Sequence, residues 1–155
     1  MSESTFCTKF NTLKEVFKSG KALITNVVFK NPNEQVINRI FSGDQLIVEV
    51  YIQLKMDFIS LDVGIGFYDQ NGNPQIHCAT ETIQKKYKTN SDFFIAKLVI
   101  DKWPLTENDY YLNLYLRSGG ELLHHVEQAI WIKGVQGDYY GTGKLPSWRK
   151  GYFCE

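Results

Sequence analysis

The stretch SLDVGIGFYDQNGNP, Ser60 to Pro74, alternates Leu61, Val63, Ile65 and Phe67 with Ser60, Asp62, Gly64, Gly66 and Tyr68. A period of two is that of a strand with one face on a core. Two glycines then fall on the face that builds no core. Glycine weakens a strand there unless something must approach the backbone. A second stretch, YYLNLYLR, alternates Leu112, Leu114 and Leu116 with Tyr111, Asn113, Tyr115 and Arg117. In an immunoglobulin-like topology these two strands pair. Asp62, Gly64, Gly66 and Tyr68 then lie beside Tyr111, Asn113, Tyr115 and Arg117, and the glycines form a shallow trough between taller side chains. Tyrosine rings stack on the apolar C–H faces of a sugar ring, while Asp, Asn and Arg offer paired acceptors and donors to neighbouring hydroxyls. That inventory suits a neutral or weakly charged glycan, held openly at about −8 to −4 kcal/mol. The same residues also read as ordinary sheet surface or a dimer contact, since tyrosine favours strands and glycine marks bulges.

Other groups offer less chemistry. His124 and His125 are adjacent and point to opposite faces of a strand, and His77 lies elsewhere. They complete no metal-ligand spacing and read as the polar flank of a hairpin. Glu49 and Asp62 have the type of a glycosidase pair but belong to different sheets. No nucleophile elbow or Cys–His signature occurs. The segment GDYYGTGKLP carries Asp138 where a phosphate-binding loop needs glycine, and Leu145 where it needs Ser or Thr. No catalytic residue, metal or cofactor is expected. QKKYK, Gln84 to Lys88, reads as a solvated basic loop. Trp131 sits in a strand apolar on both faces and is ambiguous, reading as core with a ligand platform as the alternative, whereas Trp103 and Trp148 flank prolines and pin loops.

The positioning elements are strands. From Lys21 onward, KALITNVVFK, LIVEVYIQL, the opening strand, QIHCATETI, FFIAKLVID, YYLNLYLR and VEQAIWIKGV are separated by NPNE, FSGDQ, DQNGNP and SGGE turns. Connections are too short for crossover helices, so the class is all-β, an antiparallel sandwich of about seven to nine strands. Residues 1–20 read as a linker or N-terminal arm with a weak helical pattern around Leu13, Val16 and Phe17. Residues 21–155 form the sandwich domain. Its second outer face carries Ile47, Glu49, Tyr51, Phe93, Ile95, Lys97 and Val99, too apolar to be left to water.

Among 155 residues, 17 Lys and Arg balance 17 Asp and Glu. Zero net charge argues against a general electrostatic role on nucleic acid. Cys7, Cys78 and Cys154 are odd in number and widely spaced, which fits free thiols in a reducing compartment. The start lacks a continuous apolar signal segment, so the default location is cytoplasmic.

The order of these pieces resembles the C-terminal polysaccharide-recognition domain of Wzt-type ATPase subunits, from ABC transporters that export O-antigen. ALITNVVFKNPNEQ looks like its first strand and turn, and IFSGDQLIVEVYIQ like its glycine turn and alternating strand. LDVGIGFYDQNGNPQIHCAT looks like its central hairpin. DYYLNLYLRSGGELLHHVEQAIWIKG looks like its late hairpin, and YYGTGKLPSW like its tail. The resemblance implies an immunoglobulin-like sandwich that binds O-polysaccharide at its terminal or modified end. It implies work at the cytoplasmic face of the bacterial inner membrane, in lipopolysaccharide biosynthesis. The implied partners are the transporter's nucleotide-binding and membrane subunits and a second copy, in some members with exchanged C-terminal strands. No nucleotide-binding domain is expected within these residues, which read either as a recognition domain excised from a longer ATPase subunit or as one that occurs without its motor. On this reading Tyr68, Tyr111 and Tyr115 stack on sugar, and Asp62, Asn113 and Arg117 hydrogen-bond it. The alternative is an interaction or dimerisation sandwich with no sugar site.

Overall fold

A computed structural model of the chain describes residues 15–58, 60–79 and 93–141. Cys7, Cys154, Trp148, the basic loop 84–88 and the tail from residue 142 lie outside the described residues. The elements are β1 (Glu15–Lys18), β2 (Ala22–Lys30), β3 (Arg39–Phe41), β4 (Leu46–Leu54), β5 (Asp62–Asp69), β6 (Pro74–Ala79), β7 (Phe93–Ile100), β8 (Asn108–Ser118) and β9 (Glu121–Val135). They form two sheets, one in the order β1-β9-β8-β5-β6 with β3 also on β9, the other β2-β4-β7. All pairings are antiparallel except β3 with β9, which is parallel. The expected all-β immunoglobulin-like sandwich is the fold.

The expected pairing of the glycine strand with YYLNLYLR also holds, as β5 with β8. Residues 15–18, inside the stretch read as a helical-patterned arm, are instead an edge strand on β9. Both strands that sequence pattern missed, β1 and β3, are four residues or fewer. So few residues show no period, and it is pairing with β9 that makes them strands.

Alternation decides what each sheet buries. Ile24, Val27, Phe29, Val48, Val50 and Ile52 from the smaller sheet meet Val63, Ile65, Phe67, Leu112, Leu114 and Leu116 from the larger. Phe29 and Phe67 bridge the sheets with ring centroids 6.0 Å apart. Trp103 is fully buried edge-on against Phe67 and Tyr110, and its backbone bonds Gly43 and Asp44. It thus ties the β7–β8 loop to the β3–β4 turn, as its proline-flanked position suggested. The Tyr110 hydroxyl donates to the Thr106 carbonyl at 2.9 Å, a corner found in immunoglobulin-like sandwiches.

The β5–β6 hairpin closes on Asp69, which is fully buried. Its Oδ1 accepts from the backbone N–H groups of Asn71 and Asn73, at 2.9 and 2.8 Å, and Oδ2 accepts from Asn73 Nδ2. Gly72 takes the left-handed conformation the turn requires, φ 89°. Asp69→Ala leaves these donors unmatched and is expected to cost about 1–2 kcal/mol. Denaturant unfolding of the variant reads this directly.

Candidate functional site

The outer face of the larger sheet brings together Asp62, Gly64, Gly66, Tyr68, Tyr111, Asn113, Tyr115 and Arg117. Across β5 and β8 the register pairs Asp62 with Arg117, Gly64 with Tyr115, Gly66 with Asn113 and Tyr68 with Tyr111. Glu49 belongs to the other sheet, as expected.

The trough between the glycines is not open. A Cβ on Gly64 would fall 1.9 Å from the Tyr115 ring, and one on Gly66 2.9 Å from the Tyr68 ring. The bodies that approach the backbone are therefore the chain's own tyrosine rings, Tyr115 over Gly64 and Tyr68 at Gly66. Glycine at these positions leaves room for the rings. Gly64→Val must lift Tyr115, at an expected cost of about 1–3 kcal/mol. A lowered unfolding midpoint together with moved Tyr115 NMR resonances is the expected result.

Two aromatic rows result. Tyr68 stacks on Tyr111 with centroids 5.5 Å apart and planes 8° apart, and Tyr111 meets Trp131 at 5.1 Å. In the second row His77 stacks on Tyr115 at 6.1 Å, and the Arg117 guanidinium lies 5.0 Å from the Tyr115 centroid. Arg117 is exposed while Asp62, Tyr68 and Tyr115 are half-buried. Tyr111 is only 8% exposed. It supports the row between Tyr68 and Trp131 more than it presents a face. Burial, followed by the negative charges of Glu127 and Asp69, pushes its phenol up, so it stays a hydrogen-bond donor.

Asn113 is partly spent on the fold. Its Oδ1 accepts from the Gln128 N–H at 2.8 Å. Gln128 has φ 52° and lies where the β8–β9 register jumps from Leu112↔Ile130 to Leu114↔Val126. The amide thus caps a bulge, which leaves its Nδ2 and the second lone pair of Oδ1 for a ligand.

Trp131 corrects the sequence reading. Of its two readings the core one fails, because the side chain is 44% exposed. Its strand is apolar on both sides, which hid its direction. Pairing with Tyr111 fixes it, because partners in a ladder share a face. His124 is a second correction. It is 1% exposed and lies between the sheets, not on a polar hairpin flank. Its Nδ1 accepts from the Ile24 N–H at 2.9 Å, and Nε2 faces Glu15 Oε2. Among the described residues no cluster of three or more His, Cys, Asp or Glu could hold a metal ion. The thiol of Cys78 is unbonded, and burial pushes it up.

The opposite outer face keeps its apolar character. Phe93, Ile95 and Val99 stand exposed on the edge strand β7. Glu49 beside them is 5% exposed and is held by Lys30 at 3.0 Å, Lys97 at 3.5 Å and the Tyr51 hydroxyl at 3.0 Å. Burial alone would raise its carboxyl. The bonds from Lys30 and Tyr51 and the charges of both lysines outweigh this and hold it below the usual carboxylate range.

The profile of the Wzt C-terminal domain matches residues 14–143. A crystal structure of the C-terminal domain of Wzt superposes with a TM-score of 0.74 at 14% identity, covering 87% of this chain and 89% of that one. A Niemann-Pick type C2 protein from the Japanese carpenter ant superposes with a TM-score of 0.54 at 12% identity, over 79% of this chain and 98% of that one. At these identities the structural matches speak for the fold alone. No curated protein matches the sequence. The profile match runs from the residue before β1 to beyond the end of β9, and the chain belongs to the Wzt C-terminal domain family.

Proposed function

We propose that the chain is a non-catalytic carbohydrate-binding module that recognises O-antigen polysaccharide for export by an ABC transporter. The observation that supports this is the row Tyr68–Tyr111–Trp131, laid across three strands of an open sheet face in a member of this family. A pyranose lies with its C–H face on the Trp131 and Tyr68 rings. Arg117 and Asp62 at one end of the face, and Asn113 Nδ2 near its middle, meet hydroxyls. Tyr115 over Gly64 and Tyr68 over Gly66 brace the surface, and Tyr111 supports Tyr68 from the side. Binding needs no rearrangement, because the rings are already stacked on one another and on the backbone. Such a module selects a glycan by its terminal residue or cap and passes only that chain onward. The proposal places it at the cytoplasmic face of the bacterial inner membrane. Its partners there are nucleotide-binding and membrane subunits and a second copy of itself, with or without an exchanged C-terminal strand.

Titration of the protein with a panel of bacterial O-polysaccharides, read by tryptophan fluorescence and NMR, tests this. Saturable binding to one terminal structure is expected, with Trp131 and Tyr68 signals moving. A folded protein that binds none of the panel overturns the reading. The exposed Phe93, Ile95 and Val99 favour a second role, self-association through β7. Ile95→Glu is expected to shift sedimentation toward monomer while leaving glycan affinity within about twofold, since the two faces lie on opposite sheets.

A further inference from the structure

A second row of rings crosses the outer face of the larger sheet, beside Tyr68–Tyr111–Trp131. Phe17 on β1 pairs with His125 on β9, and His125 pairs with Tyr115 on β8. Ladder partners share a face. His124 lies between the sheets, so its neighbour His125 points outward. The Tyr115 ring lies over Gly64 and stacks on His77 of β6, with planes 18° apart and the tyrosine hydroxyl 3.5 Å from His77 Nε2. The row thus runs from β1 through β9 and β8, over β5, to β6, a width of about 19 Å at the usual strand spacing. Its ends are open, since Phe17 is 43% exposed and His77 is exposed too. Along β8, Tyr115 lies four residues from Tyr111, about 13 Å. Asn113, opposite Gly66, stands between the two rows. Arg117 closes the far side, over the Tyr115 ring.

We propose that the Phe17–His125–Tyr115–His77 row is a second sugar subsite, so that the module holds several consecutive sugars of one chain rather than a single ring. This extends the glycan reading of the Trp131 row, on which it rests. One pyranose is too short to touch both rows. A chain crossing the face stacks one sugar near Trp131 and another near Tyr115, and the sugar between them meets the Asn113 amide. The alternation of aromatic and polar rows distinguishes this face from a protein-docking patch, whose centre is a contiguous apolar core inside a polar rim. Hydrogen-bonding groups also sit within the second row, at both imidazoles and at Arg117. They suit hydroxyls repeated along a sugar chain.

NMR titration of the full chain tests this, with the glycan that binds in the O-polysaccharide panel shortened from its reducing end and sized into mono-, di-, tetra- and hexasaccharides. The two short fragments are expected to move the Trp131 signals alone. The two long ones are expected to move the ring signals of His77, His125 and Tyr115 as well, with affinity rising on the order of 10-fold. The double variant Phe17→Ala/His77→Ala changes two exposed side chains on the edge strands β1 and β6. It is expected to abolish the gain with length, so that the hexasaccharide binds no better than the disaccharide. Binding that moves Trp131 but neither strengthens with length nor moves the His77 and His125 rings overturns the second subsite and leaves the glycan reading standing. A gain with length that survives the double variant also overturns it, by placing the added contacts elsewhere. A folded protein that binds no fragment overturns both readings together.

Discussion

Trp131→Ala is expected to weaken glycan binding by about 10- to 100-fold, or roughly 1.4–2.7 kcal/mol, while the fold stays intact. Trp131 ends the row Tyr68–Tyr111–Trp131 and presents the largest exposed ring on that face. Tryptophan concentrates binding energy because it desolvates a broad, flat area at little entropic cost. Its removal opens no core cavity, since the side chain stands outside the sandwich. Tyr68→Ala is expected to act in the same direction with a smaller effect, because half of that ring already leans on Tyr111. Isothermal titration calorimetry against the glycan found in the panel reads both, with Ile95→Ala on the other sheet as control. Unchanged affinity in both ring variants would remove this face from consideration. An effect of Tyr115→Ala alone would move the site to the His77–Tyr115 row.

The contrast between Trp131 and the glycine strand shows what the sequence disclosed and why it stopped. Alternation in β4, β5, β7 and β8 named their inward residues and the sheet partner of β5, because one buried face imposes a strict period of two. The face carrying Asp62, Gly64, Gly66, Tyr68, Tyr111, Asn113, Tyr115 and Arg117 was legible for the same reason. What covers the glycines was not, because a ring's tilt depends on side-chain torsions that leave no trace in residue spacing. In β9 apolar residues occupy both faces, so the direction of Trp131 depended on knowing its ladder partner. β3 is too short to carry a period. His124 misled for a different reason. Polar residues beside a turn usually face water, and only the arrival of β1 and β2 on either side turns this one into an internal bridge.

That bridge makes the fold sensitive to acid. His124 Nδ1 accepts from the Ile24 N–H, so the ring proton resides on Nε2 and is donated to Glu15. One neutral imidazole thereby links β9 to β2 of the other sheet and to the edge strand β1. Protonating Nδ1 would set two donors face to face. Burial lowers the His124 pKa, the charges of Lys18 and His125 lower it further, and the Glu15 bond offsets only part of this. The folded value therefore lies below the unfolded value of about 6.5. Between the two values the unfolded chain binds more protons, so stability rises with pH across that window. The contribution is complete above about pH 6.5 and declines as pH falls through the folded value. Urea unfolding between pH 8 and pH 5, where ordinary carboxylates remain ionised, is expected to show a falling midpoint. His124→Gln is expected to flatten that profile, because its amide can accept from Ile24 and donate to Glu15 without titrating. His124→Ala leaves the Ile24 N–H buried and unmatched and opens a cavity between the sheets, at an expected cost of about 2–4 kcal/mol at pH 8. A parent profile as flat as that of His124→Gln would show that this imidazole does not set the acid limit of the fold.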